Sequence, residues 1–437
     1  MAEPGFPFGI FNKTISGRVK KIINNAKWLT LFALFGRASW LISLLLFGRA
    51  VGPALFGEFS VYIAFWLIAS RFLGLGLEIW VNKSIASNRK ETERLKITAI
   101  AQRLRVMLVG IGYSLILAGS YFLPEALVQF SFVFLLLALR QFAESLREVQ
   151  VGVLQGREEM KLQAIALIPW DLAQLILVLF CVMIAPMEKF FLLVLLLTLV
   201  SFGKIATLRT VIRKHTPSSP KIIVISFLEY QNAARESFLF GFGMLLAIGF
   251  GKVDILLLKH FSSPEMVGNY SMAYLFLNAC GIILGIVRQA LFPSLAHFSS
   301  SAKDKFIQLA SQSSLVFFLS GLVGAVLLGA IGPMLLRLTG SSFTYAPHLL
   351  VLLACSLPWI ALTSILGNAI NAGGLIKKGV CIQLIGLLSN IAANFYWIPQ
   401  YGGAGAAYAM LLASSVTALG YALILRVVTR QNSIHNK

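Results

Sequence analysis

Long apolar runs recur along the whole chain, and short polar segments separate them. A helix that crosses the hydrocarbon core of a bilayer needs about 20 apolar residues, whereas the strands of a membrane barrel alternate over about ten residues. The runs are of the helical kind, and we expect an all-α membrane protein with twelve transmembrane helices. The predicted spans are residues 28–48, 54–78, 106–123, 127–152, 163–185, 188–208, 236–258, 267–293, 307–331, 346–371, 379–398 and 403–425.

Composition supports this interpretation. Of the 437 residues, 58% are hydrophobic and 12% are charged, and the mean hydropathy of +0.82 excludes a water-soluble globular protein. The first span follows a basic segment with no small-residue cleavage site, so it is expected to remain in place. The four cysteines lack metal-binding spacing, and no nucleotide-binding or hydrolase motif is present. We therefore expect no metal, no cofactor and no enzymatic activity.

The positive charge follows the predicted topology. The formal net charge of +20 would suggest a nucleic acid partner in a soluble protein, but here no nucleic acid is expected. With twelve spans, one set of loops contains 27 of the 37 basic residues, Arg105 and Lys204 among them, and the opposite set contains 4. Basic residues in short loops remain in the cytoplasm, so both termini are predicted to be cytoplasmic, in the inner cell membrane.

A short motif occurs twice along the chain. Residues Pro53–Ser60 match Pro264–Ser271 at an offset of 211, and each copy begins a span from the outside. Two halves of six spans have the same orientation in the membrane, which predicts two bundles related by a pseudo-two-fold axis along the membrane normal. The predicted organisation is a basic cytoplasmic segment 1–27, a bundle 28–211, a cytoplasmic linker 212–235, a bundle 236–425 and a cytoplasmic tail 426–437.

Several charged residues lie within the predicted spans. Each costs about 2.5 to 3.5 kcal/mol at the centre of a transmembrane helix, so each is expected to face a cavity or an oppositely charged partner. The basic ones are Arg37, Arg71, Arg140, Arg147, Lys252 and Arg288, and the acidic ones are Glu78, Glu144, Glu148, Asp171 and Asp254.

Four of these charges share one face of the fourth span. Arg140, Glu144, Arg147 and Glu148 are spaced at i, i+4, i+7 and i+8. Either they neutralise one another and join two helices, or they form the wall of a hydrated cavity. Asp171 in the fifth span is expected to be a partner of this charged stripe.

Arg37 and Arg288 have no acidic residue within one helical turn. A guanidinium donates paired hydrogen bonds to phosphate and keeps its charge when it loses water, so these residues suit an anionic ligand. The alternative for both is pairing with a carboxylate on another helix or extension of the side chain to the membrane interface. That alternative is favoured for Arg71, which lies near the inner end of its span.

The second half contributes fewer charges and more amides. Lys252 and Asp254 point in different directions on one helix, and Asp254 either binds a cation or pairs with Lys259. The amides of Asn278 and Asn390 suit sugar hydroxyls, although amides also join transmembrane helices.

Five segments carry a resemblance to a known family. They are Phe47–Ser60, Val253–Leu258, Val267–Ala273, Leu291–Leu295 and Tyr401–Ala407. In order and spacing they resemble the polysaccharide-biosynthesis flippases, which translocate O-antigen and exopolysaccharide repeat units and belong to the multidrug/oligosaccharidyl-lipid/polysaccharide superfamily.

This resemblance implies a central cavity between two bundles. It further implies flipping of a polyprenyl-pyrophosphate-linked oligosaccharide to the outer leaflet by alternating access, for lipopolysaccharide or another surface polysaccharide. The expected partners are that lipid, membrane lipids, a polysaccharide polymerase and a chain-length regulator. The candidates for substrate binding are Arg37, Arg140, Arg147, Arg288, Asn278 and Asn390, and those for ion coupling or a charge network are Glu144, Glu148, Asp171, Asp254 and Lys252.

Two other functions remain open from the sequence. A multidrug or small-molecule antiporter has the same architecture, but a cavity for cationic drugs should be net acidic, and the spans contain six basic against five acidic residues. A membrane-embedded polymerase, ligase or glycosyltransferase usually needs a large external loop or an acidic metal motif, and neither is present in the sequence.

Overall fold

The computed structural model describes residues 8–88, 90–120, 131–183, 189–215, 224–337 and 342–435. Within these residues the chain forms thirteen helices and no strand. Three of the basic residues that orient the chain, Arg89, Lys221 and Lys437, lie outside them. The helices are α1 (Phe8–Gly74), α2 (Leu77–Ser87), α3 (Glu91–Ser120), α4 (Ser131–Gly156), α5 (Met160–Met183), α6 (Lys189–His215), α7 (Phe227–Phe261), α8 (Pro264–Ser301), α9 (Lys303–Arg337), α10 (Ala346–Ala354), α11 (Leu357–Ala372), α12 (Ile376–Tyr401) and α13 (Gly403–His435).

Helix α1 is interrupted where the sequence predicts the turn between its first two spans. Gly52 has φ 80° and ψ 175°, a backbone conformation that favours glycine, and Pro53 follows it. The rings of Phe47 and Phe59 lie 4.7 Å apart, although twelve residues of unbroken helix would separate them by about 18 Å. The two segments of α1 therefore fold back against each other at Gly52.

The apolar helices make this a multi-pass membrane protein. Among the described residues, eight helices are long and apolar enough to cross a membrane, or nine if the bent pair α10 and α11 forms one span. In this count α1 contributes once, as the segment Lys27–Gly74. Helix α4 does not qualify because four charged residues lie between positions 140 and 148. The all-helical membrane architecture is confirmed, and the number twelve stays a prediction.

Two predicted cytoplasmic loops are largely helical in the described residues. The region 82–105 forms most of α2 and the first turns of α3, which begins at Glu91. The predicted linker 212–235 contains the start of α7, where Ser226 and Glu229 form a reciprocal capping box. Helices α3 and α7 therefore begin before the apolar spans 106–123 and 236–258 that they contain.

The two copies of the repeated motif contact each other. A methyl group added to Gly57 would meet the carbonyl oxygen of Pro264, and one added to Gly268 would meet the carbonyl oxygen of Pro53. The missing side chains allow the backbones of α1 and α8 to touch at this point. The contact is reciprocal, because the glycine of each motif lies against the proline of the other motif.

The two halves of the chain meet at both ends of the molecule. At the end that carries the repeated motifs, Lys259 of α7 pairs with Glu58 of α1. At the opposite end, the indole Nε1 of Trp80 in α2 donates to Glu236 Oε2 of α7 at 2.8 Å. A cavity lies between these two regions.

Candidate functional site

The cavity has a volume of about 710 Å³ and is enclosed by α1, α4, α5, α6, α7 and α8. This size is typical of pockets that bind small molecules. Its lining includes five cationic and two acidic side chains, which leaves a formal excess of three positive charges. The charged residues are Arg37, Arg140, Glu144, Arg147, Asp171, Lys204 and Lys252.

Arg140 of α4 is a buried cation in this cavity, with 8% of its surface exposed. Its guanidinium lies 4.8 Å from the centre of the Trp40 ring, a cation–π contact that leaves the N–H donors free. Its Nε has no hydrogen-bond partner, and no carboxylate of the described residues lies within 4.0 Å. A buried guanidinium needs hydrogen-bond acceptors, so the free donors of Arg140 suit an anionic ligand.

Arg37 and Lys252 face the cavity from α1 and α7, and they also have no carboxylate partner among the described residues. The ammonium group of Lys252 lies 5.6 Å from the centre of the Tyr274 ring. Arg288 of α8 is not among the residues that line the cavity.

The other cavity charges are paired. Arg147 Nε contacts Glu144 Oε2 at 2.6 Å, and the Ser201 hydroxyl donates to Glu144 Oε1 at 2.8 Å. Lys204 Nζ contacts Asp171 Oδ1 at 2.7 Å. The charged stripe of α4 thus combines both interpretations, because Glu144 and Arg147 neutralise each other and also form the cavity wall.

The assignment of Lys204 to a cytoplasmic loop is wrong. It lies within α6, only 8% of its surface is exposed, and its partner is the acid Asp171 of α5. Its position inside the predicted span 188–208 was the available signal. Arg105 is misassigned in the same way, because its buried side chain belongs to α3 and pairs with Glu78.

The side chain of Glu148 does not line the cavity. It belongs to a network in which acidic and basic side chains alternate. It contacts both terminal nitrogens of Arg71, one of them at 2.8 Å, and Arg71 Nη1 reaches Glu78 Oε1 at 2.7 Å. Glu78 then pairs with Arg105. The four residues connect α1, α2, α3 and α4, so they form a structural network, and the expected pairing of Arg71 is confirmed.

Asp254 of α7 is fully buried outside the cavity lining, with 0% of its surface exposed. Its carboxylate accepts hydrogen bonds from the Tyr270 hydroxyl and from Asn394 Nδ2, each at 2.8 Å. The alternative pairing with Lys259 is wrong, because Lys259 pairs with Glu58. Asp254 therefore has hydrogen-bond donors but no cationic partner among the described residues.

The two candidate sugar-binding amides, Asn278 and Asn390, lie in different environments in the structure. Asn278 lines the cavity, whereas Asn390 is fully buried beside Asn394, whose Nδ2 donates to Asn390 Oδ1 at 3.0 Å. Gln155 and Gln163 also line the cavity, although neither was among the residues predicted for the site. Gln155 continues the helical spacing of the α4 stripe, and that spacing was a usable signal.

The architecture is similar to solved structures of membrane transporters. An inward-facing multidrug resistance MATE family transporter of the MOP superfamily superposes with a TM-score of 0.76 at 11% identity, covering 91% of this chain and 96% of that chain. The lipid II flippase MurJ in an inward closed conformation gives 0.73 at 15% identity, covering 91% and 87%. A MOP superfamily transporter from Pyrococcus furiosus gives 0.60 at 13% identity, covering 92% and 95%. The chain therefore shares the fold of these solved structures.

The family follows from the sequence. The sequence model of the family described as "Polysaccharide biosynthesis protein" matches residues 22–299, well over half of the chain. The chain belongs to this family, and the resemblance seen in the sequence motifs is confirmed. No curated protein matches the chain in sequence.

Proposed function

We propose that this protein flips a polyprenyl-pyrophosphate-linked oligosaccharide from the cytoplasmic to the outer leaflet, by alternating access, for surface polysaccharide biosynthesis such as that of O-antigen. The observation that carries the proposal is the net positive cavity, in which Arg37, Arg140 and Lys252 have no carboxylate partner among the described residues. A pyrophosphate supplies the missing negative charge, and guanidinium groups bind phosphate with paired, charge-assisted hydrogen bonds.

Alternating access rests on an arrangement of two equivalent halves. We propose twelve spans in two six-helix bundles, 28–211 and 236–425, related by a pseudo-two-fold axis along the membrane normal. Three observations support this: the chain folds back at Gly52, the repeated motifs contact each other reciprocally, and α10 and α11 are two parts of one bent apolar element.

The proposed setting is the inner membrane, with both termini in the cytoplasm. The support is the distribution of basic residues between the two sets of loops. A polysaccharide polymerase and a chain-length regulator would then receive the product at the outer face.

A multidrug antiporter is the second candidate, because a MATE transporter shares the fold. The charge of the cavity argues against cationic substrates, since unpaired arginine and lysine side chains would repel them. Substrate charge therefore separates the two functions.

The direct test uses purified protein in liposomes that contain a fluorescent undecaprenyl-diphosphate oligosaccharide. We expect the protein to accelerate its movement between leaflets, measured as the fraction that an impermeant quencher reaches over time. Ethidium uptake in the same liposomes should equal that of protein-free liposomes. Ethidium transport without lipid translocation would contradict the proposal and support the antiporter.

We further propose that Asp254 couples transport to a proton or a monovalent cation. It is a buried carboxylate that has hydrogen-bond donors and no cationic partner among the described residues. Asp254→Asn keeps the size of the side chain but removes its charge. We expect flux in this variant to lose most of its response to an imposed pH or Na⁺ gradient.

The matched control for this prediction is Asp304→Asn, which changes an exposed acid in the first turn of α9. It should keep the full gradient response. An Asp254→Asn variant with the same gradient response as the unmodified protein would remove Asp254 from coupling.

A further inference from the structure

Beyond the charged stripe, one end of the cavity is lined by neutral amides. Gln155 Nε2 donates to Gln163 Oε1 at 3.3 Å, and Asn82 Nδ2 donates to Gln155 Oε1 at 3.4 Å. The three residues come from α4, α5 and α2, so three helices contribute to one amide cluster. Gln155 and Gln163 both reach the cavity surface.

Gln163 in this cluster is incompletely bonded. Only 1% of its surface is exposed, and its Nε2 has no hydrogen-bond partner among the described residues. A buried donor without an acceptor costs about 1 to 3 kcal/mol, so such a group is retained where something else satisfies it. Because Gln163 lines the cavity, a ligand there with an acceptor oxygen would satisfy this donor once the amide turns towards it.

The position of the cluster identifies the part of the ligand that it meets. Gln155 follows Arg140 by fifteen residues on α4, a distance of about 22 Å along the helix. This is too far for the pyrophosphate that Arg140 would bind, but it is within the length of a short oligosaccharide. Val151 and Leu167 also line this part of the cavity and offer apolar surface to sugar ring faces.

We propose that Gln155 and Gln163 form a glycan subsite that binds hydroxyl or acetamido groups of a neutral sugar. The inference rests on the proposed function and adds an orientation: the pyrophosphate lies near Arg140, and the glycan extends along α4 and α5 towards the α4–α5 connection. Neutral amides suit neutral sugars because they both donate and accept hydrogen bonds without adding charge.

The test measures binding of two probes to the full-length protein in nanodiscs. One probe is undecaprenyl diphosphate without a sugar, and the other carries a neutral tetrasaccharide of N-acetylhexosamines. Gln163→Leu and Gln155→Leu should each weaken binding of the tetrasaccharide probe by about tenfold, the effect of one lost hydrogen bond. Binding of the sugar-free probe should be unchanged.

Two control variants keep the test informative. Gln400→Leu changes an exposed amide at the end of α12 and should leave both affinities unchanged. Gln163→Asn keeps an amide at the cluster, so it serves if the leucine variants fail to fold, and it should selectively weaken the tetrasaccharide probe.

The outcomes separate this inference from the flippase function. Equal affinities of the unmodified protein for the two probes, or equal losses for both probes in the glutamine variants, would overturn the glycan subsite and leave the flippase proposal intact. An unmodified protein that binds neither probe would overturn both.

Discussion

Replacing Arg140 with glutamine is expected to reduce translocation of the lipid-linked oligosaccharide by about 100-fold, because a lost charge-assisted hydrogen-bonded pair costs about 3 kcal/mol. Arg140 is buried, lies over Trp40 and has no carboxylate partner among the described residues, so its removal takes away ligand binding without exposing an unpaired acid. The measurement is flux in proteoliposomes at equal amounts of protein.

Two matched variants show whether the loss of flux in Arg140→Gln comes from the missing guanidinium. Arg337→Gln changes an exposed arginine at the end of α9 and should leave flux unchanged. Arg140→Lys keeps the charge but loses the planar pair of donors, so it should retain only part of the activity. Undiminished flux in Arg140→Gln would exclude this residue from substrate binding.

Replacing Glu78 with glutamine is expected to destabilise the fold by about 3 to 5 kcal/mol, the usual result of removing one partner from a buried ion pair. Glu78 pairs with Arg105, whose side chain is almost completely buried, and with Arg71. The measurement is the yield of monodisperse protein and its apparent melting temperature in detergent.

The control for this prediction is Glu93→Gln, which removes an exposed acid from α3, the helix that carries Arg105. It should leave stability unchanged. The double variant Glu78→Gln with Arg105→Gln should be more stable than Glu78→Gln alone, because it no longer buries an unpaired charge. Equal stability of Glu78→Gln and Glu93→Gln would show that the network does not support the fold.

The hydrophobic pattern predicted much of the architecture for a physical reason. Lipid requires long apolar segments with internally bonded backbones, so each predicted span is helical over most of its described residues. The turn at Gly52 was visible because glycine and proline mark such positions. The apolar pattern alone marks residues 106–123 of α3, which begins at Glu91, because the first turns of this helix are polar.

The candidate site was only partly predictable. Helical spacing placed Arg140, Glu144 and Arg147 on one wall, and all three line the cavity. The partners of a charge on other helices depend on tertiary packing, so spacing could not show that Glu148 turns to Arg71. Lys204 differs, because its position inside the predicted span 188–208 already argued against a loop.

The reciprocal contact between the repeated motifs has a consequence for the origin of the chain. When two identical subunits meet across a two-fold axis, residue i of one touches residue j of the other and the reverse also holds, which defines an isologous interface. Gly57 with Pro264 and Gly268 with Pro53 follow this rule within one polypeptide. Under the proposed two-fold arrangement, a six-helix ancestor that formed a homodimer through its own Pro-x-x-x-Gly segment would make the same two contacts. Fusion of two such copies would preserve both contacts. It would also impose the same requirement for glycine at two positions that lie 211 residues apart.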